Sequence, residues 1–158
     1  MEFFKHHSRL LNILIVKETD KAKDYLCQIP KTDKLIKRLC NTIATLRSSL
    51  TSVSCELKPD KVQTSGPKDT MAATIAKIVD LEREIDQRID ELVDLKREAF
   101  RLISQLPDHD QQNVLIARYV QGMKWEAIAY ELEHEVRWVY RVHGKGLVAF
   151  LSVMDSMK

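Results

Sequence analysis

Arg137, Arg141 and Lys145 recur every fourth residue in the stretch from Val136 to Phe150. On a helix that spacing lines three cations along one face. Val139, Val142 and Phe150 fall off the stripe. A helix buried on one side and cationic on the other suits the DNA major groove, where Arg and Lys meet phosphates and guanine edges. Trp138 and Tyr140 border the stripe and are candidate edge contacts. The plainer use of such spacing is a solvated surface.

The stripe has to be held by something, and the surrounding sequence supplies it. The pattern predicts three consecutive helices: Gln111 to about Val120, about Lys124 to Leu132, and Val136 to about Phe150. Gly122 stops the first, because glycine tolerates the left-handed cap conformation. The link from Glu133 to Glu135 is too short for an antiparallel return, so the last two helices must cross steeply, as in a helix-turn-helix. Val114, Leu115, Ile128, Ala129, Leu132, Val139 and Val142 form one apolar set at helical spacings, with Trp125 beside them. Ala129 is small where two helices must approach closely.

Charge is segregated rather than in excess. Residues 107–158 hold six Lys/Arg and seven Asp/Glu, a net of −1. Glu131, Glu133 and Glu135 lie just before the basic stripe. The basic part is residues 1–68, at thirteen against seven, while 69–106 are acidic at six against nine. These add to the net +2 of the chain, which is no polycation.

The stretch resembles region four of bacterial sigma-70 factors. It supplies Leu106, Pro107, Val114, Leu115, Arg118, Tyr119, Gly122, Glu126, Ile128, Ala129, Leu132, Val139 and Leu147 in the order of that pattern. It is more similar still to sigma-like transcriptional regulators of phages and prophages, a family akin to late-gene activators. Trp125 to Ala129 and the run Val139 to Leu147 carry that likeness, which extends weakly upstream to about Lys21. The resemblance implies a promoter- or operator-reading domain in a bacterial cytoplasm, with RNA polymerase as a further partner. Three positions depart from the pattern. Glu133 stands where a glycine is usual, Glu135 where a capping residue is usual, and Gly146 where alanine is usual.

Upstream, length and composition bound the rest. A chain of 158 residues with 4 Gly, 4 Pro and 30% charged residues points to long helices rather than sheets. Residues 1 to about 28 read as a helix with a stripe of Leu10, Leu11, Leu14 and Ile15, broken at Ile29-Pro30. That apolar run is too short to span a membrane and no small-residue cleavage site follows, so export is not expected. Thr32 or Asp33 is the expected cap of the next helix, whose seam is Leu39, Ile43, Leu46, Leu50, Val53 and Leu57. Lys58 to Lys68 reads as a flexible link. Asp69 or Thr70 then caps a long helix from Met71 to about Gln105. In it Ile78, Ile85, Leu92, Ala99 and Leu106 repeat every seven residues, with Met71, Ile75 and Ile89 in the alternate series and Leu81, Leu95 and Leu102 widening the face. A strict seven-residue repeat needs a helical partner. The preceding helix folded back is the simplest; a second copy of the chain is the alternative.

Nothing marks a catalytic centre. Asp80, Glu84, Asp90, Glu91 and Asp94 read as solvated flank, since no Glu-x-x-His accompanies them. There is no phosphate-binding glycine loop and no nucleophile signature. Cys27, Cys40 and Cys55 are too widely spaced for a metal site and read as buried free thiols; His6, His7, His109, His134 and His143 pair with no ligand.

The expectation is therefore an all-α protein: a long, coiled-coil-like antiparallel helical hairpin followed by a C-terminal helix-turn-helix. Residues 1–30 form an N-terminal extension, 31–106 the hairpin with its link at 58–68, and 107–158 the region-four-like domain. The function expected is sequence-specific DNA binding by a phage or prophage regulator without cofactor or metal, through Arg137, Trp138, Tyr140, Arg141 and Lys145. Its partners would be double-stranded DNA, RNA polymerase and, through the hairpin, a second copy, with no membrane. The alternatives are a protein-interaction module and a packaging protein like the phage small terminase.

Overall fold

The computed structural model describes the backbone of residues 2–54 and 67–156, and the side chains of residues 19–51 and 70–156. Among these residues all regular structure is helical: α1 Glu2–Ser54, α2 Pro67–Ile103, α3 His109–Leu115 continued by a π-turn at Ile116–Val120, α4 Trp125–Glu131 and α5 Val136–Asp155. Packing divides the chain into two units, Thr32–Val93 by itself and Met1–Lys31 together with Asp94–Lys158. The side chains of Leu10, Leu11, Leu14, Ile15 and Val53 lie outside the described side chains, and Cys55, Leu57 and most of the 58–68 link lie outside the described residues altogether.

The Thr32–Val93 unit is the helical hairpin. Ile43 of α1 and Ile78 of α2 are buried in it, and Leu39, Leu46, Leu50, Leu81, Ile85 and Leu92 are half-buried. Arg47 and Glu82 form an ion pair between the two helices. The remaining pairs of this unit, such as Lys37–Asp33 and Arg88–Glu91, join exposed residues one turn apart and contribute tenths of a kcal/mol each. The alternate series of α2 stays out of the seam. Met71, Ile75 and Ile89 are 42–49% exposed, and Val79 and Val93 lie beside them. A helix turns one stripe to one partner, and here the stripe through Ile78, Ile85 and Leu92 takes that place.

Two helix starts are corrected. Pro30 lies inside α1, so Thr32 and Asp33 are not caps. Proline removes one hydrogen bond and crowds the preceding turn, which costs about 3 kcal/mol in a helix interior. Leu26 and Ile29 just before it are buried, and Leu35, Ile36 and Leu39 just after it are half-buried. Continuing the helix keeps both apolar stretches in their cores, and that outweighs the lost bond. Likewise α2 begins at Pro67 rather than Met71. A proline at the first position has no N–H to leave unpaired.

The second unit is built round α5. Its core takes Ala22, Leu26 and Ile29 from α1 and Ala99, Leu102 and Ile103 from α2. Val114 and Leu115 of α3, Ile128 and Ala129 of α4, and Val139, Val142, Leu147 and Phe150 of α5 are also buried, as are Leu106, Ala117 and Tyr119. The Tyr25 and Phe150 rings meet with centroids 6.0 Å apart. Residues 19–31 thus share a core with the C-terminal helices. Cys27 is half-buried and Cys40 exposed, both free, which corrects the expectation of buried thiols. Cys40 follows the seam residue Leu39 and so falls off the buried stripe.

Candidate nucleic-acid interface

The site is assembled from the first short helix onward. Asp108 caps α3: its Oδ1 accepts from the backbone N–H of Asp110 at 2.9 Å and of Gln111 at 3.3 Å. The cap starts the helix at His109, two residues before the sequence pattern placed it. The helix then widens to a π-turn over Ile116–Val120. Gly122 ends it with φ +74°, the stop its residue type promised.

The π-turn carries Arg118 and Tyr119 into the base of the site. Arg118 Nη1 donates to the Met123 carbonyl at 2.8 Å, and its guanidinium lies 4.3 Å from the Trp125 ring centroid. Arg118 therefore clamps the turn before α4. Trp125 also meets Tyr140 and His143 of α5, each with ring centroids 4.9 Å apart. Tyr119 Oη and His143 Nε2 share a hydrogen bond of 3.0 Å. Burial, with Lys23 and Arg118 near, holds the His143 pKa down at about 4, and burial pushes the Tyr119 phenol up to about 12. His143 is thus neutral in the fold.

This has a pH consequence. The unfolded chain protonates His143 near pH 6.5, whereas the fold resists until about 4. Stability from this residue is complete above 6.5 and is lost as pH falls from there towards 4. Thermal melts across that window should show the acid loss diminished in His143→Gln; an identical loss in the variant would refute the assignment.

Between α4 and α5 the chain turns through Leu132 to Glu135. The His134 N–H donates to the Ala129 carbonyl at 2.9 Å and the Glu133 N–H to the Tyr130 carbonyl at 3.2 Å. That is the paired bonding of a Schellman cap, and it puts Glu133 at φ 55°. A left-handed non-glycine residue costs about 1 kcal/mol. Glu133→Gly should therefore raise the melting temperature by about 2–4 °C; a lower melting temperature would refute it. Glu135 caps α5 only by position, since its side chain makes no cap hydrogen bond.

Turn and core together orient α5. Val139, Val142, Gly146, Leu147 and Phe150 face inward. Arg137, Arg141 and Lys145 are all exposed. Among the described residues none of the three has a side-chain hydrogen bond or ion pair, whereas Arg47, Arg83, Arg88, Arg97 and Arg101 are each held by an acid. Tyr140 is half exposed beside the stripe. Trp138 differs: it packs against the core cluster and stacks on His134 at 3.7 Å, so one ring face is already used. The five residues singled out in the sequence thus fall on one helix, three as exposed cations and two as rings that each already meet a neighbour, Tyr140 on Trp125 and Trp138 on His134. The described residues bring together no group of three His, Cys, Asp or Glu that could hold a metal ion. No described helix is long and apolar enough to cross a membrane.

Residues 50–148 match the family described as Protein of unknown function (DUF1492). The chain belongs to that family. No curated protein and no solved structure matches it. In this DUF1492 member the matched span runs from the end of α1 through α4 and the cationic part of α5. It includes the packing residues the sequence reading did not assign to the site, Arg118, Tyr119 and His143. Arg118 and Tyr119 stood in the motif without a stated role. His143 stood in the Val139 to Leu147 run without a stated role, and its helical spacing from Val139 and Gly146 sets it on the inward side.

Proposed function

We propose that this DUF1492 member is a DNA-binding transcriptional regulator in which α4, the turn and α5 act as a helix-turn-helix. The observation that carries the reading is the line of Arg137, Arg141 and Lys145, one turn apart, exposed and unpaired, on the face of α5 opposite its buried residues. Unpaired cations at a regular spacing are available to phosphates and guanine edges without first breaking an internal ion pair. The likeness to sigma region four and to phage regulators supports the same face, and a bacterial cytoplasm as its setting. The test is selection of duplexes from a randomised pool, followed by fluorescence anisotropy at rising salt. Phosphate contact releases counterions, so affinity should fall steeply with salt. Failure to retain any duplex at low salt would overturn the reading.

A second reading, a protein-interaction module, has its own observation. A cavity of about 240 Å³ has an apolar floor of Ile116, Ala117, Ile128 and Leu132 and a polar rim of Asn113, Gln121 and Glu131. Tyr130 stands 88% exposed on α4, near the exposed acids Glu126 and Glu131. A basic, apolar segment of a partner such as RNA polymerase would suit this side, and the two readings are compatible in one molecule. The exposed line Met71, Ile75, Val79, Ile89 and Val93 of α2 supports the pairing of two copies, for which sedimentation equilibrium of the whole chain is the test.

A further inference from the structure

Helix α5 contains two glycines in its interior, and packing accounts for one. At Gly146 a Cβ would stand 3.3 Å from Leu115 Cγ and Cδ1 and 3.4 Å from Gln111 Cβ. The close approach of α5 to α3 therefore uses the missing side chain. At Gly144 a Cβ would meet nothing within 4 Å, and the residue is exposed with ordinary helical backbone. Glycine there weakens the helix and serves no contact within the fold.

Its surroundings are those of the candidate interface. Tyr140 and Val148 lie one turn to either side, 50% and 43% exposed. Arg141 is three residues before it, Lys145 follows it, and Arg137 lies two turns back on the same face. Gly144 is a notch at the edge of the exposed cationic stripe, between Tyr140 and Val148.

We propose that Gly144 is where α5 comes closest to duplex DNA, its bare backbone seated in the major groove with Tyr140 and Val148 in apolar contact on either side. The inference rests on the DNA-binding reading above. A side chain at this point would hold the whole helix off the groove floor and lift Arg137, Arg141 and Lys145 from their contacts together. Apolar flanks at the point of closest approach favour thymine, whose C5 methyl projects into the major groove.

The test compares Gly144→Ala and Gly144→Leu with the parent chain, on a duplex selected by the parent from a randomised pool. Both substitutions favour the helix, so melting temperatures should rise by about 2–4 °C. Affinity should move the other way, about tenfold weaker for alanine and more for leucine, the scale of one lost base contact. Replacing thymine by uracil in the selected duplex should weaken the parent more than the leucine variant. If the parent binds, the Arg137→Ala/Arg141→Ala variant does not, and Gly144→Leu binds as the parent does, this inference is overturned and the DNA reading stands. A fall in melting temperature for Gly144→Ala would assign the glycine to folding and also overturn it. A parent that selects no duplex overturns both.

Discussion

Arg137→Ala combined with Arg141→Ala is expected to abolish duplex binding while leaving helical content and melting temperature close to those of the parent. Both side chains are exposed and neither has a side-chain hydrogen bond or ion pair, so the fold loses little when they go. Alanine and arginine are both good helix formers, which keeps α5 intact. Each Arg contact to a guanine edge or phosphate pair contributes about 1–3 kcal/mol, so losing two should weaken binding by at least about thirtyfold. The salt dependence should flatten in step, because fewer counterions are released. Circular dichroism and anisotropy on the same samples check both halves. Unchanged affinity in a folded variant would remove the assigned face. The acids at Glu133 and Glu135 sharpen the experiment: if they dominate the local field, neutralising them should strengthen what the double variant abolishes.

Phe150→Ala is expected to be the most destabilising single substitution among those considered. Phe150 is fully buried and the largest side chain so placed. Its ring meets Tyr25 of α1, so it seals α5 against the N-terminal stretch. Truncating a buried Phe costs about 3–5 kcal/mol, from lost transfer energy and the cavity left behind. For a chain of this size that corresponds to a melting temperature lower by about 10 °C. Urea or thermal unfolding measures it. A loss near that of a surface substitution would show that α1 does not close over Phe150. Well below the melting range the variant should bind DNA much like the parent, since Phe150 lies on the buried side of α5.

These two residues mark the division between local and tertiary information. The basic stripe was legible in the sequence because it depends on helical period alone: residues four apart share a face whatever lies opposite. The same reasoning located the all-helical class, the stop at Gly122, the short turn after Leu132 and the inward set of Ile128, Ala129 and Val139. What each face meets is a different matter, since periodicity says that a stripe needs a partner and not which one. Tertiary packing decided that Pro30 stays within α1, because two apolar stretches outweigh one lost hydrogen bond. It decided that Ile78 and Ile85 enter the hairpin seam while Ile75 and Ile89 stay exposed, although all four are isoleucines at heptad spacing. It also placed residues 19–31 against α5, turned Arg118 into a clamp on Trp125, and buried His143 beside Tyr119. Gly144 and Gly146, two residues apart on one helix, show the same limit. Their type is identical in the sequence, and only the presence of Leu115 beside one and open space beside the other tells them apart.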